Sequence, residues 1–549
     1  MERDLTPEEI EKHNNRKLTA DKIRQILSKV METPSQSSKR WAWELMQNAK
    51  DIPNRFGEVS IIIELTENSL KFLHNGNPFT LKNIMGLIQQ VSSKDSTNSN
   101  EEVTGKFGTG FISTHLLSRK ISVKGFVFHN GIHRKFDIIL DRSGDSSEDL
   151  IPKIKTALEH ISQIENNQVF PIDYNYENNR TEQSFDTSFE YKLLSDKSKK
   201  WANDGIDDLV NTLPQTLVNL KKIKKVTVVN NGIQEVYEKK KVDNKNGFTS
   251  YEVQISNQDS KKFISYGRNE ITLAVEVNSF KPITLIENFG KQPNLFRDFP
   301  LIGSEKFYFP YILNGHTFNP TEDRDSIVLH SDESKEAIEN RKSIENAISV
   351  SQEFTQWLID NNAINRHICA YTRRPELKSK WEDFSKNWFS EIQTNWRKQL
   401  IELPLFETEK GDIIDLKNAI IPEDGDSKEF KEEFYELSKP IFSSNRVPKK
   451  NKYFDWLKIL GPKSDKEQRE NWGVNLTKNG ENLAQIINDF KDKEGLLNNS
   501  ELVNIGVLNL WLIGLYDYLI KTQQTDLLSK YALIPNQYGV FKKLNELYL

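Results

Sequence analysis

Between residues 18 and 73 the hydrophobic period changes, and no other feature of the chain constrains its fold as strongly. KLTADKIRQILSKV spaces Ile23, Ile26 and Val30 along one side of a helix. ETPSQSSKR is a polar break, and a second helix is expected to begin near Ser38. VSIIIEL then alternates as a strand, turns at Asn68 and Ser69, and returns as LKFLH, which predicts an antiparallel hairpin. A helix is expected from about Leu81 to Val91, a polar loop over 92–104, and another helix over FISTHLLS. ISVKGFVFHN, HRKFDIILD and TSFEYKLL read as strands. The first unit is therefore α+β, with helices against an antiparallel sheet, and runs to about residue 195.

The full chain of 549 residues is too long for one core. A second unit, 196–335, opens with the helix GIDDLVNTLPQTLVNL and continues as successive strands from KVTVVNN to ITLAVEVN. The region 336–549 is helix-rich, with tryptophan-bearing stretches that could pack, form a dimer or bind a partner. Residues 421–455, rich in Pro, Gly and Lys, read as a connection. The apolar stretch Val503–Ile520 is interrupted by Asn504, Asn509 and Asp517, so a buried helix is expected rather than a membrane span. ALIPNQYGVFKKL reads as a strand-turn unit close to the end, so the intact gene product is expected to continue, or this chain to be a trimmed form.

Composition excludes several classes of function. One cysteine, Cys369, leaves no internal disulfide framework and no cysteine-rich zinc site. Nine scattered histidines argue against a metalloenzyme. Lys plus Arg is 75 and Asp plus Glu is 79, so no chain-wide basic field invites nucleic acid or an anionic membrane. The charged N-terminus carries no signal-peptide pattern, and a cytoplasmic location is expected.

Three short segments carry chemistry. In WELMQNAKD, Glu44, Asn48 and Asp51 fall on one helical face. Glu44 could orient or deprotonate water and Asn48 could offer its amide oxygen to Mg²⁺, which prefers oxygen ligands. A solvated polar face has the same spacing. In LHNGNPFT, Asn75-Gly76 after a strand is first a turn signal. In GKFGTGFISTHLLS, Gly105, Gly108 and Gly110 precede a helix, which offers backbone N–H groups to a phosphate. It is neither a Walker A loop nor a GxGxxG fingerprint, and an ordinary glycine turn would look similar.

In this order the three segments resemble the Hsp90-like ATPase superfamily (gyrase B, Hsp90, histidine kinase, MutL). ELMQNAKD matches that family's ELxxNAxD helix. The resemblance implies a Bergerat-type α/β sandwich over 1–195, a transducer-like middle domain over 196–335, and a helix-rich region over 336–549. It implies Glu44 as the water-activating carboxylate, Asn48 as the Mg²⁺ ligand, and ATP as the nucleotide, with Asp51 beside it. Gly105, Lys106, Phe107, Gly108, Thr109, Gly110 and Phe111 match the GxFGxG loop that wraps the phosphates, and 92–104 resembles the lid over ATP. Thr187 matches a sheet threonine near the adenine. His74, followed by Asn75 and Gly76, stands where the family has an adenine-reading Asp. Either another group reads adenine or selectivity is relaxed. A neutral imidazole can accept one hydrogen bond if its tautomer is right, and His74 could instead be a packing residue.

HNGNPF and SSKRW resemble the sacsin-type branch of large ATPases. In the second unit FPLIGSEKFYFPYILNGHTFNPTEDRDSIVLH resembles the domain after the ATPase, and Arg324 is the expected cation for the γ-phosphate. A surface pairing of Arg324 with Glu322, Asp323 or Asp325 is the plainer alternative. The resemblance implies Mg²⁺-dependent ATP hydrolysis that drives a conformational switch. The expected setting is a multi-component complex such as bacterial anti-phage defence, with N-terminal homodimerisation and a partner nuclease or other effector. The rival readings are a chaperone acting on client proteins and a nucleotide-binding scaffold with little turnover. Neither direct nucleic-acid binding nor a membrane is expected.

Overall fold

The computed structural model describes residues 6–32, 34–89, 110–321, 323–329, 334–376 and 382–547, and the chain is a mixed α/β protein. It divides into two compact units: Met1–Asn278 with Gln292–Glu305 and Ile312–Ile327, and Ser279–Lys291 with Lys306–Tyr311 and Val328–Leu549.

The first unit opens with α1 (Pro7–Glu32) and α2 (Pro34–Lys50), then β1 (Val59–Leu65), β2 (Ser69–His74), β3 (Phe79–Thr80) and α3 (Leu81–Gln89). The helix expected over FISTHLLS is a 3-10 segment, Gly110–Leu116. After it come β4 (Lys120–His129), β5 (Ile132–Asp141), α4 (Ser147–Ser162), α5 (Tyr176–Asn179) and β6 (Thr187–Lys192). α6 (Asp196–Asn219) leads to the meander β7 (Ile223–Asn230), β8 (Ile233–Lys245), β9 (Phe248–Ile255), β10 (Lys261–Arg268) and β11 (Ile271–Phe280).

These strands form one sheet in the order β11-β10-β9-β8-β7-β1-β2-β6-β4, with β3 and β5 both on β4. The expected hairpin is present, with Ile61 opposite His74 and Ile63 opposite Phe72. The sheet is not wholly antiparallel, as the strand patterns suggested. β1 pairs with β7 in parallel, Ile61 beside Val226 and Ile63 beside Val228. A parallel neighbour needs a long crossover, and α6, boxed at its start by Ser195 and Ser198, provides it between β6 and β7. The sheet thus runs continuously past residue 195.

Alternation along the strands places the core. Val59, Ile61, Ile63, Leu70, Phe72, Phe189 and Tyr191 are buried, together with Trp41, Leu45, Met46 and Ala49 of α2. Each fully buried side chain of this size contributes roughly 1.5–3 kcal/mol. α2 is locked to α6 by the Trp41 indole N–H, which donates to Trp201 O at 3.2 Å, and by Trp43, which donates to Asp208 at 3.1 Å. At the β11 edge, Ile312–Gly315 pairs antiparallel to β11 and Leu295–Arg297 pairs parallel to Ile312–Gly315. This edge carries Arg297 and Asp298, with Arg324 in the loop beyond.

The second unit is mostly helical. Lys335–Asp360, Glu382–Leu400 and Ile505–Lys521 are its longest helices. Trp396, Trp456, Trp472 and Trp511 are buried, so these tryptophans pack inside the unit. Residues 421–455 correct an expectation: they are not a connection but contain the helix Lys428–Phe442, capped by Ser427. Phe434, Leu437, Ser438 and Ile441 keep a helical period and are buried, while Pro440, in the last turn, gives up one i→i−4 hydrogen bond just before the helix ends. The apolar stretch from Val503 is a helix with one buried face, because Leu510, Ile513 and Ile520 remain exposed. Two hairpins repeat one design: Phe406–Glu407 with Ile413–Ile414, and Ile534–Pro535 with Phe541–Lys542. Each turns through a glycine at positive φ, Gly411 at 90° and Gly539 at 81°, and each runs on into a 3-10 turn.

Candidate functional site

α2 carries its polar residues across the border of a buried face. Glu44 is buried, and the residues one turn away on either side, Arg40 and Gln47, share its stripe. Arg40 Nη2 lies 3.4 Å from Glu44 Oε1. Arg324 Nη1 arrives from far along the chain, 3.5 Å from the same oxygen and 2.5 Å from Gln47 Oε1. Arg324 therefore reaches α2, although it does so from a backbone φ of 51°. A non-glycine residue pays about 1–3 kcal/mol for such a conformation.

Gly110 rests directly on the Glu44 carboxylate. A Cβ at this position would lie 1.8 Å from Oε2, so any side chain would displace the acid. The next residue, Phe111, packs on Phe189 at 5.6 Å between ring centroids, and Phe189 stacks on His74. His74 faces Thr187 across the β2–β6 pairing, and both are buried. Glu44, Gly110, Phe111, His74 and Thr187 are thereby linked through adjacent side chains.

The turn after β2 is fully committed to the protein. Asn75 Oδ1 accepts from Ser60 N at 2.6 Å, and its Nδ2 donates to Glu182 O at 2.7 Å. A Cβ on Gly76 would meet Ile52 O at 2.6 Å, which ties the turn to the end of α2. Arg180 closes the arrangement, donating to Asn75 O at 2.8 Å, to Gly76 O and to Asn77 Oδ1, with Asp186 3.5 Å from its Nε. Asn75 and Gly76 thus shape the turn, and their side-chain and backbone acceptors are occupied.

His74 takes a definite role in hydrogen bonding. Its Nδ1 accepts from Gly76 N–H at 3.1 Å. Burial, and then the neighbouring Arg180 charge, lower its pKa from 6.5 to about 3, so the ring is neutral at pH 7. A neutral ring with Nδ1 accepting carries its proton on Nε2. The ring therefore presents a donor from Nε2, and the acceptor role expected toward an adenine amino group is not available from Nδ1.

Asn48 is exposed on α2, one turn beyond buried Glu44. Asp51 lies just past the helix end with Lys50 Nζ 4.0 Å away. Gly105, Lys106, Phe107, Gly108 and Thr109, and the lid segment 92–104, lie outside the described residues. Of the acids in the plainer pairing, Asp325 is buried and accepts from Thr321 Oγ1 at 2.8 Å, and Glu322 is outside the described residues.

The SSKRW segment puts Lys39 and Arg40 near the start of this helix, but sequence reasoning missed Gln47 and Arg180. Gln47 had a signal, because it sits three residues after Glu44. Arg180 had none, since its partners in the Asn75–Asn77 turn are remote in sequence. A further ionic cluster was also unforeseen: buried Lys50 lies 2.6 Å from Asp298, and His316 Nδ1 lies 3.0 Å from the other oxygen of Asp298. Burial alone would raise the Asp298 pKa, but His316 and Lys50 hold it well below the usual carboxylate range. This cluster fastens the end of α2 to the β11 edge of the same unit.

Scanned against protein-family models and against curated proteins, the chain matches none. Among the described residues no helix is long and apolar enough to cross a membrane. Nor do three or more His, Cys, Asp or Glu side chains converge there as a metal cage. A Mg²⁺ ion held by one amide oxygen and by substrate phosphates asks for no such cage.

Proposed function

We propose that the chain is a Mg²⁺-dependent ATPase of the Hsp90-like type, whose hydrolysis cycle drives a conformational switch. The observation that carries this reading is the meeting at Glu44: the Gly110 backbone lies on its carboxylate, and Arg324 reaches the same oxygen as Arg40. A buried acid between a glycine segment and a remote arginine suits attack of water on a terminal phosphoryl group. Phosphate recognition by the glycine segment as a whole rests on the sequence resemblance.

On this reading Glu44 accepts a proton from the attacking water as the new O–P bond forms. The bond between the γ-phosphorus and the bridging oxygen breaks, and ADP keeps that electron pair. The proton on Glu44 then passes to solvent. Arg324 supplies positive charge where negative charge builds on the transferred group. Mg²⁺, for which exposed Asn48 provides the amide oxygen, would neutralise phosphate charge. His74, as a donor, and Thr187 would be the groups near the adenine.

Because Arg324 and α2 belong to one unit, rearrangement at Glu44 would be felt at the β11 edge through Arg324 and the Lys50–Asp298–His316 cluster. That is the basis of the switch. A protein partner is supported by the helix Ile505–Lys521, which leaves Leu510, Ile513 and Ile520 exposed. Homodimerisation, a defence complex with an effector and client binding are all versions of such a partner, and mass in solution with and without ATP separates dimer from monomer.

Glu44→Ala tests the chemistry. ATP binding should persist while hydrolysis is lost. If the variant folds yet loses both, the assigned role of Glu44 is wrong.

A further inference from the structure

Three arginines line one small cleft of the first unit: Arg40 from α2, Arg297 from Leu295–Arg297, and Arg324 from the loop beyond Ile312–Gly315. Glu44 is the carboxylate among the lining residues, and Trp43 and Phe299 supply apolar wall. Three guanidiniums meet this one lining carboxylate, while Asp298 and Asp51 act on Arg297 from outside the cleft lining. Asp298 is shared with Lys50 and His316.

The arginines are not fully matched. Arg40 Nε and Arg297 Nε are buried and have no acceptor among the described residues. A buried donor without an acceptor costs about 1–3 kcal/mol. The Arg297 pKa is lowered, first by burial and then by the nearby Arg324 charge, with Asp298 and Asp51 opposing the shift. Two guanidiniums that repel each other in a partly dry cleft, with spare N–H groups, call for an anion. Guanidiniums approaching from three chain segments suit an anion with several oxygens, such as a tetrahedral phosphate, since each fork can take two oxygens.

We propose that this cleft binds a phosphate-sized oxyanion, held by Arg40, Arg297 and Arg324 at the edge of Glu44. That the anion is the phosphate released from ATP rests on the ATPase reading; that the cleft takes inorganic phosphate does not. Before the anion arrives Arg40 and Arg324 rest on Glu44, and Arg324 also on Gln47; the anion takes them over.

The test is calorimetric titration of the full chain with inorganic phosphate, without nucleotide. Wild type is expected to show one saturable site, competed by sulfate and not by chloride at matched ionic strength. Arg297→Gln and Arg40→Gln should each weaken binding about tenfold or more, with Arg297→Lys between. A wild type that shows no saturable phosphate site, or a cooperatively melting Arg297→Gln that binds as wild type does, overturns the proposal. The two ideas separate cleanly. Phosphate binding without ATP hydrolysis keeps the cleft and removes the ATPase reading. Hydrolysis without a phosphate site does the reverse.

Discussion

The turn at His74–Asn77 rests on a buried arginine and the cleft at Glu44 on half-buried ones, and they differ in how the arginine donors are met. Each Arg180 nitrogen has a partner: two backbone carbonyls, an amide oxygen and a carboxylate. In the cleft, Arg40 Nε and Arg297 Nε have none among the described residues. The second unit repeats the first pattern at Arg397, which donates to Thr372 Oγ1, Thr372 O and Gln468 O while lying over Trp472. A buried arginine whose nitrogens all have partners holds structure. Arg134, Arg142 and Arg373 also carry an unmatched Nε, so what sets the cleft apart is that three guanidiniums line one pocket. Desolvation makes the difference visible, because an unmet N–H that is harmless in water is costly inside the protein.

Substitutions should separate the two kinds of arginine. Arg180→Met should be severe, about 3–5 kcal/mol, because it leaves Asp186 and the turn carbonyls without their donor. Urea denaturation measures it, and a loss near zero would remove the distinction. His74 comes next. Its folded pKa of about 3 lies below the ordinary 6.5, so below pH 6.5 the unfolded chain binds a proton that the folded chain refuses. Stability is therefore lost as pH falls from 6.5 toward 3, by about 1.4 kcal/mol per pH unit. His74→Asn keeps an acceptor for Gly76 N–H and should flatten that part of the wild-type profile. Equal slopes in the two proteins would place the titration elsewhere. Arg40→Gln should be mildest, within about 1 kcal/mol of wild type, since its pairing with Glu44 is long and partly exposed. A loss as large as that for Arg180→Met would make Arg40 a structural arginine too.

Much of the local structure was legible from the chain. The hairpin of VSIIIEL and LKFLH, the meander after residue 220 and the helix Lys335–Asp360 follow from residue period alone. Glu44 and Asn48 were placed on one face by their spacing, but the spacing could not tell that one is buried and the other exposed. That depends on Gly110 and Arg324, which arrive from elsewhere. The helix Lys428–Phe442 was hidden because Pro, Gly and Lys outweighed the spacing of Phe434, Leu437 and Ile441. The parallel pairing of β1 with β7, the two matching hairpins of the second unit and the role of Arg180 are long-range facts. No local period encodes them.

The most direct measurement is phosphate release from ATP by the purified chain, with Mg²⁺ and after chelation. Slow, steady release that requires Mg²⁺, and that falls about a hundredfold or more in Glu44→Ala with ATP still bound, is the expected result. Binding of ATP with no Mg²⁺-dependent release, or release unchanged in Glu44→Ala, would contradict it.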